Sequence, residues 1–382
     1  MRLLLFFFFY YLFLLWYGVN FLSFSIVEAQ SYEKVWFLKY IYEIFFVFLG
    51  KNDLTLRIVP VFFSILSVII FYLISKSYFK KQKDLEFNVI IFSLIPGFII
   101  SSLIVNKSIF LIFLTLLFVY TYKKNKLFSY LLLFSYAFID YAFINLYFAL
   151  IFYAIYKKDT KFLFFVLFLF AINANIFNYE IGGKPRGYFL DVLGTYFLIF
   201  SPFVFVYYVY TLYKGAFLQK DIIYYISALT FLLSILLSFR QHIRIDDYAP
   251  FALIYIIYMV RIFLNSYRVR LPQFRRGYKI IFSFLFGSLI LFDIAIFLNR
   301  YTPAKNLSNS FYFIKPIVKI LKNKKINYIA CNNKYLCKSL CFYGINKGEE
   351  FYLKYSKRER KVSIFHKKRK IYEINVSNLN TL

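Results

Sequence analysis

The chain has 382 residues, of which 61% are hydrophobic and 25% aromatic, and it carries a formal net charge of +29. Soluble domains are usually nearer half apolar, so this composition argues against a soluble globular protein. The cations fall in short clusters between apolar runs, which disfavours a nucleic-acid binder, and 3 cysteines are too few for a disulfide scaffold.

The first apolar run covers residues 2–26 and begins at Arg2. Small residues around Val27 and Ala29 resemble a signal cleavage site, but the run is longer than the 7–15 apolar residues typical of a secretory signal. We therefore expect a retained span. Ten further runs are interpreted as spans, because a hydrocarbon core about 30 Å thick requires long apolar segments. They cover approximately residues 54–75, 88–104, 108–122, 127–140, 141–156, 162–176, 192–213, 222–239, 249–266 and 280–298.

Clusters of Lys and Arg alternate with loops that are poorer in cations, as the positive-inside rule requires. The cationic loops are those at 76–83, 123–126, 157–161, 214–220 and 268–279. The alternation needs two crossings around Asp140, although one bent helix is the alternative there. About eleven spans then place the N-terminus inside and the C-terminus outside, and we expect a multi-pass protein of a bacterial inner membrane.

The sequence predicts two domains, a multi-span transmembrane domain at 1–298 and a small basic domain at 299–382, expected on the outer side. Within the tail, strand patterns at 326–330, 350–355, 362–366 and 371–376 surround a helical pattern at 334–342. The expected fold class is therefore an all-α polytopic membrane protein with a small C-terminal α/β domain.

Polar side chains collect in the predicted outer loops, where charges beside hydrocarbon are costly unless they pair or serve a site. A single such residue is adequately explained as a helix cap or a headgroup contact, but here acids and bases occur together at one predicted face. The loop from Gly182 to Gly187 is glycine-rich and holds two cations that suit a phosphate, with an ordinary basic turn as an equal alternative. No pattern of His, Cys and carboxylates predicts a metal site, so no cofactor is expected, and a divalent metal is left open.

Three short motifs resemble one membrane-enzyme family. Glu28-Ala29 follows the first span, Arg57 and Pro60 open the second, and Tyr248-Ala249-Pro250 follows a basic patch. These resemble motifs of the GT-C glycosyltransferases of family 39, which are related to protein O-mannosyltransferases and lipid A aminoarabinose transferases. The sequence departs from the family at Val27, where an Asp is usual, and at residues 106–108, where an acid is frequent.

The resemblance implies a GT-C-like membrane glycosyltransferase that moves a sugar from a polyprenyl-phosphate carrier to a lipid, glycan or protein acceptor at the outer, periplasmic face. It implies Glu28 as the catalytic base. Cations at Lys184, Arg186, Arg240 and Arg244 would bind the donor phosphate. Possible supporting residues are Tyr32, Arg57, Lys107, Asp140, His242, Asp246, Asp247 and Tyr248.

Some alternatives stay open. Arg57 is either a site residue or the structural ion-pair partner of Glu28 or Asp53. Membrane lipids are expected partners and nucleic acid is not. The competing functions are a transporter or flippase for a lipid-linked sugar and a non-catalytic membrane scaffold.

Overall fold

The computed structural model describes residues 2–178, 187–218, 221–298, 311–356, 361–366 and 369–375. Most of this chain is helical, with a small sheet in the tail. In chain order the helices are α1 Arg2–Phe21, α2 Ile26–Lys34, α3 Trp36–Leu49, α4 Asp53–Ser75, α5 Gln82–Ser93, α6 Pro96–Leu103, α7 Ser108–Lys124, α8 Lys126–Ile139, α9 Phe143–Lys157, α10 Thr160–Ile176, α11 Phe189–Phe200, α12 Pro202–Leu218, α13 Ile222–Ser238, α14 Ala249–Leu253, α15 Ile256–Val269, α16 Arg275–Leu298, α17 Ile314–Asn323 and α18 Lys334–Phe342.

Several helices have the length and composition of membrane spans, which confirms that the chain is compatible with a multi-pass membrane protein. Within the described residues, 4 segments qualify, and 6 do if each of two bent helix pairs is one span. The single segments are Leu3–Phe21, Asp53–Ser75, Ala249–Val269 and Pro272–Leu298. Other apolar helices, α8, α9, α10 and α13, are 10–17 residues long, so the count of about eleven spans stays a prediction.

Two predicted spans are broken helices. The segment predicted at 88–104 consists of α5 and α6, bent by 59°, and the one at 192–213 consists of α11 and α12, bent by 103°. At the second break Ser201 has φ of 67° and Pro202 begins the next helix, so the backbone turns sharply there. A hydropathy pattern registers apolar length and gives no signal for such a turn.

The first helix ends at Phe21 rather than at residue 26 because a new helix is capped just after it. The Ser25 hydroxyl accepts from the Glu28 amide, and the Glu28 carboxylate accepts from the Ser25 amide, which forms a capping box at the start of α2. This helix and α3 were absent from the predicted elements.

The chain around Asp140 forms two separate helices. Asp140 is extended, with φ of −152° and ψ of 148°, between α8 and α9. Its carboxylate accepts from the Ala142 amide at 2.8 Å, and the Asn173 amide donates to the carbonyls of Ala137 and Asp140. These contacts satisfy the groups that a helix break exposes.

The tail contains a small α/β fold, as predicted. Its strands are β1 Tyr328–Cys331, β2 Asn346–Ser356, β3 Lys361–His366 and β4 Arg369–Asn375, in the spatial order β1-β2-β3-β4. The first pair is parallel and the other two are antiparallel. A Cβ on Gly348 would lie 2.5 Å from the Tyr328 Cβ, so glycine permits the close approach of β1 and β2.

The helical pattern at 334–342 is confirmed as α18, whereas α17 was not predicted. Apolar side chains of both helices and of the sheet form one core. It includes Phe313, Ile317, Leu321, Leu336, Leu340 and Leu353.

The contacts of the chain divide it into two compact units. The first unit comprises Met1–Phe62, Ser102–Asn106 and Ile294–Leu382. The second unit comprises Phe63–Ser101 and Lys107–Asp293. The tail therefore forms one unit with the N-terminal helices.

Candidate functional site

A buried charged cluster lies at helix ends of the second unit. Lys107 directly precedes α7, Asp140 lies between α8 and α9, and Asp247 ends the 3₁₀ turn Ile245–Asp247 before α14. The Lys107 Nζ atom lies 2.7 Å from the Asp140 Oδ1 atom and 2.6 Å from the Asp247 Oδ1 atom. The exposed fractions of the three side chains are only 2%, 6% and 4%. Such desolvated charges persist only when they are paired, so we treat Lys107, Asp140 and Asp247 as one cluster, the lysine cluster.

Neighbouring groups fix the geometry of the lysine cluster. The Lys107 ammonium lies 3.9 Å from the centre of the Tyr141 ring, and the Tyr141 hydroxyl donates to the Asp247 carboxylate. The Asn145 side chain donates to the Asp247 carbonyl at 3.0 Å. These side chains are separated widely in sequence and converge because their helices start or end at the same place.

The loop beside the lysine cluster is more open. Asp246 is half-buried, and the Ser108 hydroxyl donates to its Oδ1 atom at 3.4 Å. Arg240 and Arg244 are exposed. The predicted donor-phosphate set is therefore only partly described, since Lys184 and Arg186 lie outside the described residues.

The other two predicted residues of this loop differ in burial. His242 is exposed and its ring meets the Tyr188 ring edge-on, with centroids 5.3 Å apart. Tyr248 is buried at 4% exposure and occupies the N-cap position of α14, without a capping hydrogen bond from its side chain. These positions support a local structural role for Tyr248 and leave His242 reachable from outside.

Glu28 and Arg57 form a second buried ion pair, in the first unit. The Arg57 Nη1 atom lies 2.5 Å from the Glu28 Oε1 atom, and the exposed fractions are 0% and 1%. Glu28 also accepts from the backbone amides of Ser25 and Val105, each at 2.9 Å. Both carboxylate oxygens are therefore occupied by donors that belong to the fold.

The guanidinium of Arg57 also makes several hydrogen bonds within the fold. It donates to the Leu103 carbonyl at 2.7 Å and to the Ser23 carbonyl at 3.1 Å. A Cβ on Gly18 would lie 3.1 Å from the Arg57 Cγ atom, so a glycine in α1 leaves room for this side chain. Of the two partners predicted for Arg57, the structure pairs it with Glu28.

The other predicted partner, Asp53, binds the tail. It accepts from the Tyr343 hydroxyl at 2.7 Å and lies 3.1 Å from the Lys315 Nζ atom. Burial raises the pKa of the Tyr343 hydroxyl, which stays a neutral donor to this carboxylate.

The tail also contacts α2 through charged groups that sequence patterns did not reveal. Glu33 lies 2.8 Å from the Lys334 Nζ atom and 3.5 Å from that of Lys338. The hydrogen bond from Lys334 holds the pKa of the Glu33 carboxyl below its ordinary value. The Lys338 ammonium also lies 5.5 Å from the centre of the half-buried Tyr32 ring, which places this predicted support residue against the tail.

Among the described residues, no group of three or more His, Cys, Asp or Glu is arranged to hold a metal ion. The positive charges of the candidate site are supplied by lysine and arginine side chains. Some of these side chains are buried in ion pairs, and others are exposed.

Comparisons of the chain with protein-family models, with curated proteins and with solved structures gave no match.

Proposed function

We propose that the chain is a membrane glycosyltransferase that moves a sugar from a polyprenyl-phosphate carrier to an acceptor. The observation that supports this most is the lysine cluster beside a loop with a reachable acid and two exposed arginines. Charged groups at the ends of apolar helices cost free energy because they are removed from water, and they usually mark a functional site. The motif resemblance described above supports the same reaction.

The reaction requires a carboxylate next to the acceptor. The bond between the sugar's anomeric carbon and the phosphate oxygen breaks, the acceptor oxygen bonds to that carbon, and the hydroxyl proton passes to the carboxylate. Asp246 suits this role because it is half-buried and adjoins the lysine cluster. Glu28 stays a candidate from the motif, but Arg57 and two backbone amides would have to release it first.

The departing lipid phosphate requires cations. Arg240 and Arg244 lie in the same loop as Asp246, and their exposed guanidinium groups offer the forked donors that phosphate oxygens accept. Lys107 cannot supply this charge without leaving two buried aspartates uncompensated. Its role in the proposal is to hold the loop in position.

A transfer assay in proteoliposomes tests the proposal. Purified full-length protein is supplied with polyprenyl-phosphate-linked sugars, and the release of polyprenyl phosphate is measured with and without an acceptor extract. We expect Asp246→Asn to lower the rate at least about a hundredfold, as loss of a general base does. Exposed Asp191, changed to Asn, is the matched control in the same unit and should leave the rate unchanged.

The outcome for Glu28 distinguishes its two roles. If Glu28→Gln abolishes transfer at unchanged thermal stability, the base is Glu28 and the assignment to Asp246 is wrong. If wild-type protein releases no polyprenyl phosphate from any donor tested, the transferase proposal itself fails.

A transporter of lipid-linked sugars is the second candidate, because broken helices are frequent at transporter binding sites. The chain has two bent helix pairs, α5–α6 and α11–α12. However, the residues at these breaks, Leu94-Ile95 and Ser201, carry no charge that would bind a phosphate. Movement of a fluorescent lipid-linked sugar across the bilayer without transfer would favour this candidate over the enzyme.

A further inference from the structure

An apolar groove runs along α16 in the second unit. The helices α5, α12, α15 and α16 contribute its walls through side chains such as Phe87, Tyr207, Phe263 and Phe286. A volume of about 50 Å³ within it can hold water-sized molecules, and apolar atoms form the wall. Only 11% of the apolar window of Pro272–Leu298 is buried, so the groove lies beside a largely uncovered helix.

The groove continues into a basic mouth. A second depression shares Phe282 with it and reaches Tyr278 and Lys279. A third meets the second at Tyr278 and is lined by Lys214 and Arg270. Apolar wall and cations are therefore connected along one surface of the unit.

The cations around the mouth have different tasks. Arg268 pairs with Asp84, and the Arg275 Nε atom donates to the Arg270 carbonyl at 2.9 Å, which caps the end of α15. Arg270 instead turns towards Tyr278, with its guanidinium 5.5 Å from the ring centre. Its charge lies at the surface of the mouth, and Lys214 and Lys279 line the same surface.

We infer that this groove binds an anionic membrane lipid, with a hydrocarbon chain along the apolar wall and the phosphate headgroup at Lys214, Arg270 and Lys279. A wall of apolar atoms binds a hydrocarbon chain favourably, whereas it would leave the backbone N–H and C=O groups of a bound peptide without hydrogen-bond partners. Cations at a helix end attract anionic headgroups.

The lipid site is separate from the proposed reaction site. The segment Ala249–Val269 starts beside the lysine cluster and ends at the basic mouth. At 1.5 Å per residue, its 21 residues span about 30 Å. The inference therefore does not rest on the transfer reaction.

Lipid binding by the full-length protein in mild detergent tests the inference. The probes are phosphatidylglycerol and phosphatidylcholine, and native mass spectrometry measures the lipid retained on the protein. Wild-type protein should retain phosphatidylglycerol more tightly than phosphatidylcholine. The double variant Arg270→Gln/Lys279→Gln should bind phosphatidylglycerol roughly twenty-fivefold more weakly, at about fivefold per cation removed, with phosphatidylcholine unchanged.

Two variants of α16 test whether the apolar wall of the groove binds the hydrocarbon chain of the lipid. Leu285 lines the groove, so Leu285→Trp should fill it and weaken the binding of both lipids. Leu291 is 69% exposed on the same helix, and Leu291→Trp is the control that should bind as wild type does.

Three results would overturn the inference. One is equal retention of the two lipids by wild-type protein. Another is an equal loss of phosphatidylglycerol in the variant Lys80→Gln/Lys81→Gln, which removes two exposed cations elsewhere. The third is displacement of phosphatidylglycerol by millimolar inorganic phosphate, which would indicate a phosphate site without a lipid chain.

Discussion

The ion pair between Glu28 and Arg57 permits a quantitative prediction about stability. The variant Arg57→Met removes the cation and leaves the Glu28 carboxylate, which is 1% exposed. Among the described contacts, this carboxylate then keeps the backbone amides of Ser25 and Val105 as donors. It also removes the donors to the carbonyls of Leu103 and Ser23. Breaking a buried ion pair from one side costs about 3–5 kcal/mol. At about 2 °C per kcal/mol for a large chain, the apparent midpoint should fall by roughly 6–10 °C.

A double-mutant cycle measures the coupling. Size-exclusion chromatography after a heating series gives apparent midpoints for wild type, Arg57→Met, Glu28→Gln and the double variant. The double variant leaves no buried charge at this position, so it should lose less stability than the sum of the two single variants.

An exposed pair provides the control. Lys39 and Glu43 lie 3.7 Å apart on α3, with exposed fractions of 52% and 46%. Glu43→Gln should change the stability by no more than about 0.5 kcal/mol. If Arg57→Met changes the midpoint as little as this control does, or if the two single losses simply add, the interpretation of Glu28 and Arg57 as a closed buried pair is wrong.

Two further predictions follow from the other charged contacts. Lys107→Met should destabilise the protein by about 3–5 kcal/mol, because it leaves two buried carboxylates uncompensated, and the added change Asp247→Asn should recover part of that loss in the same heating assay. The folded-state pKa of Glu33 lies below its ordinary value of 4.5, so its contact with Lys334 contributes stability above that value and loses it as the pH falls through the folded-state pKa. The protection of the α18 amides, expressed relative to the intrinsic exchange rate at each pH, should therefore fall more on acidification in wild type than in Lys334→Gln, and equal pH dependence of protection in the two proteins would contradict this assignment.

The sequence predicted the bounds of some helices closely because apolar length is a local property. The span expected at 54–75 is the helix Asp53–Ser75, and the one at 222–239 is Ile222–Ser238. The bends at Leu94 and Ser201 do not follow from apolar composition, but each lies just before a proline, Pro96 and Pro202, which is a local signal of a helix break. The capping box at Ser25 has a local signature and could have been recognised.

The candidate site was predictable as a set of residues and not as a set of contacts. Lys107, Asp140 and Asp247 were all expected in polar loops at one predicted face, but each could equally have capped its own helix. Which acid meets the lysine depends on how α7, α8 and α14 are rotated and packed, and no spacing in the sequence determines that. The contacts of α2 with the tail were likewise not predictable, because they depend on how two segments distant in sequence pack together.

Glu28 and Asp246 differ in the chemistry that their surroundings allow. A general base must change its charge during the reaction. If Glu28 took up a proton, Arg57 would be left as an uncompensated cation at 0% exposure, and the free energy of unfolding of the protein would decrease. Asp246 is half-buried, adjoins the lysine cluster and shares its loop with exposed Arg244, so its carboxylate is closer to solvent than that of Glu28, which is 1% exposed. This contrast explains why we assign the base to the loop at 240–248, although the motif resemblance points to the acid after the first span.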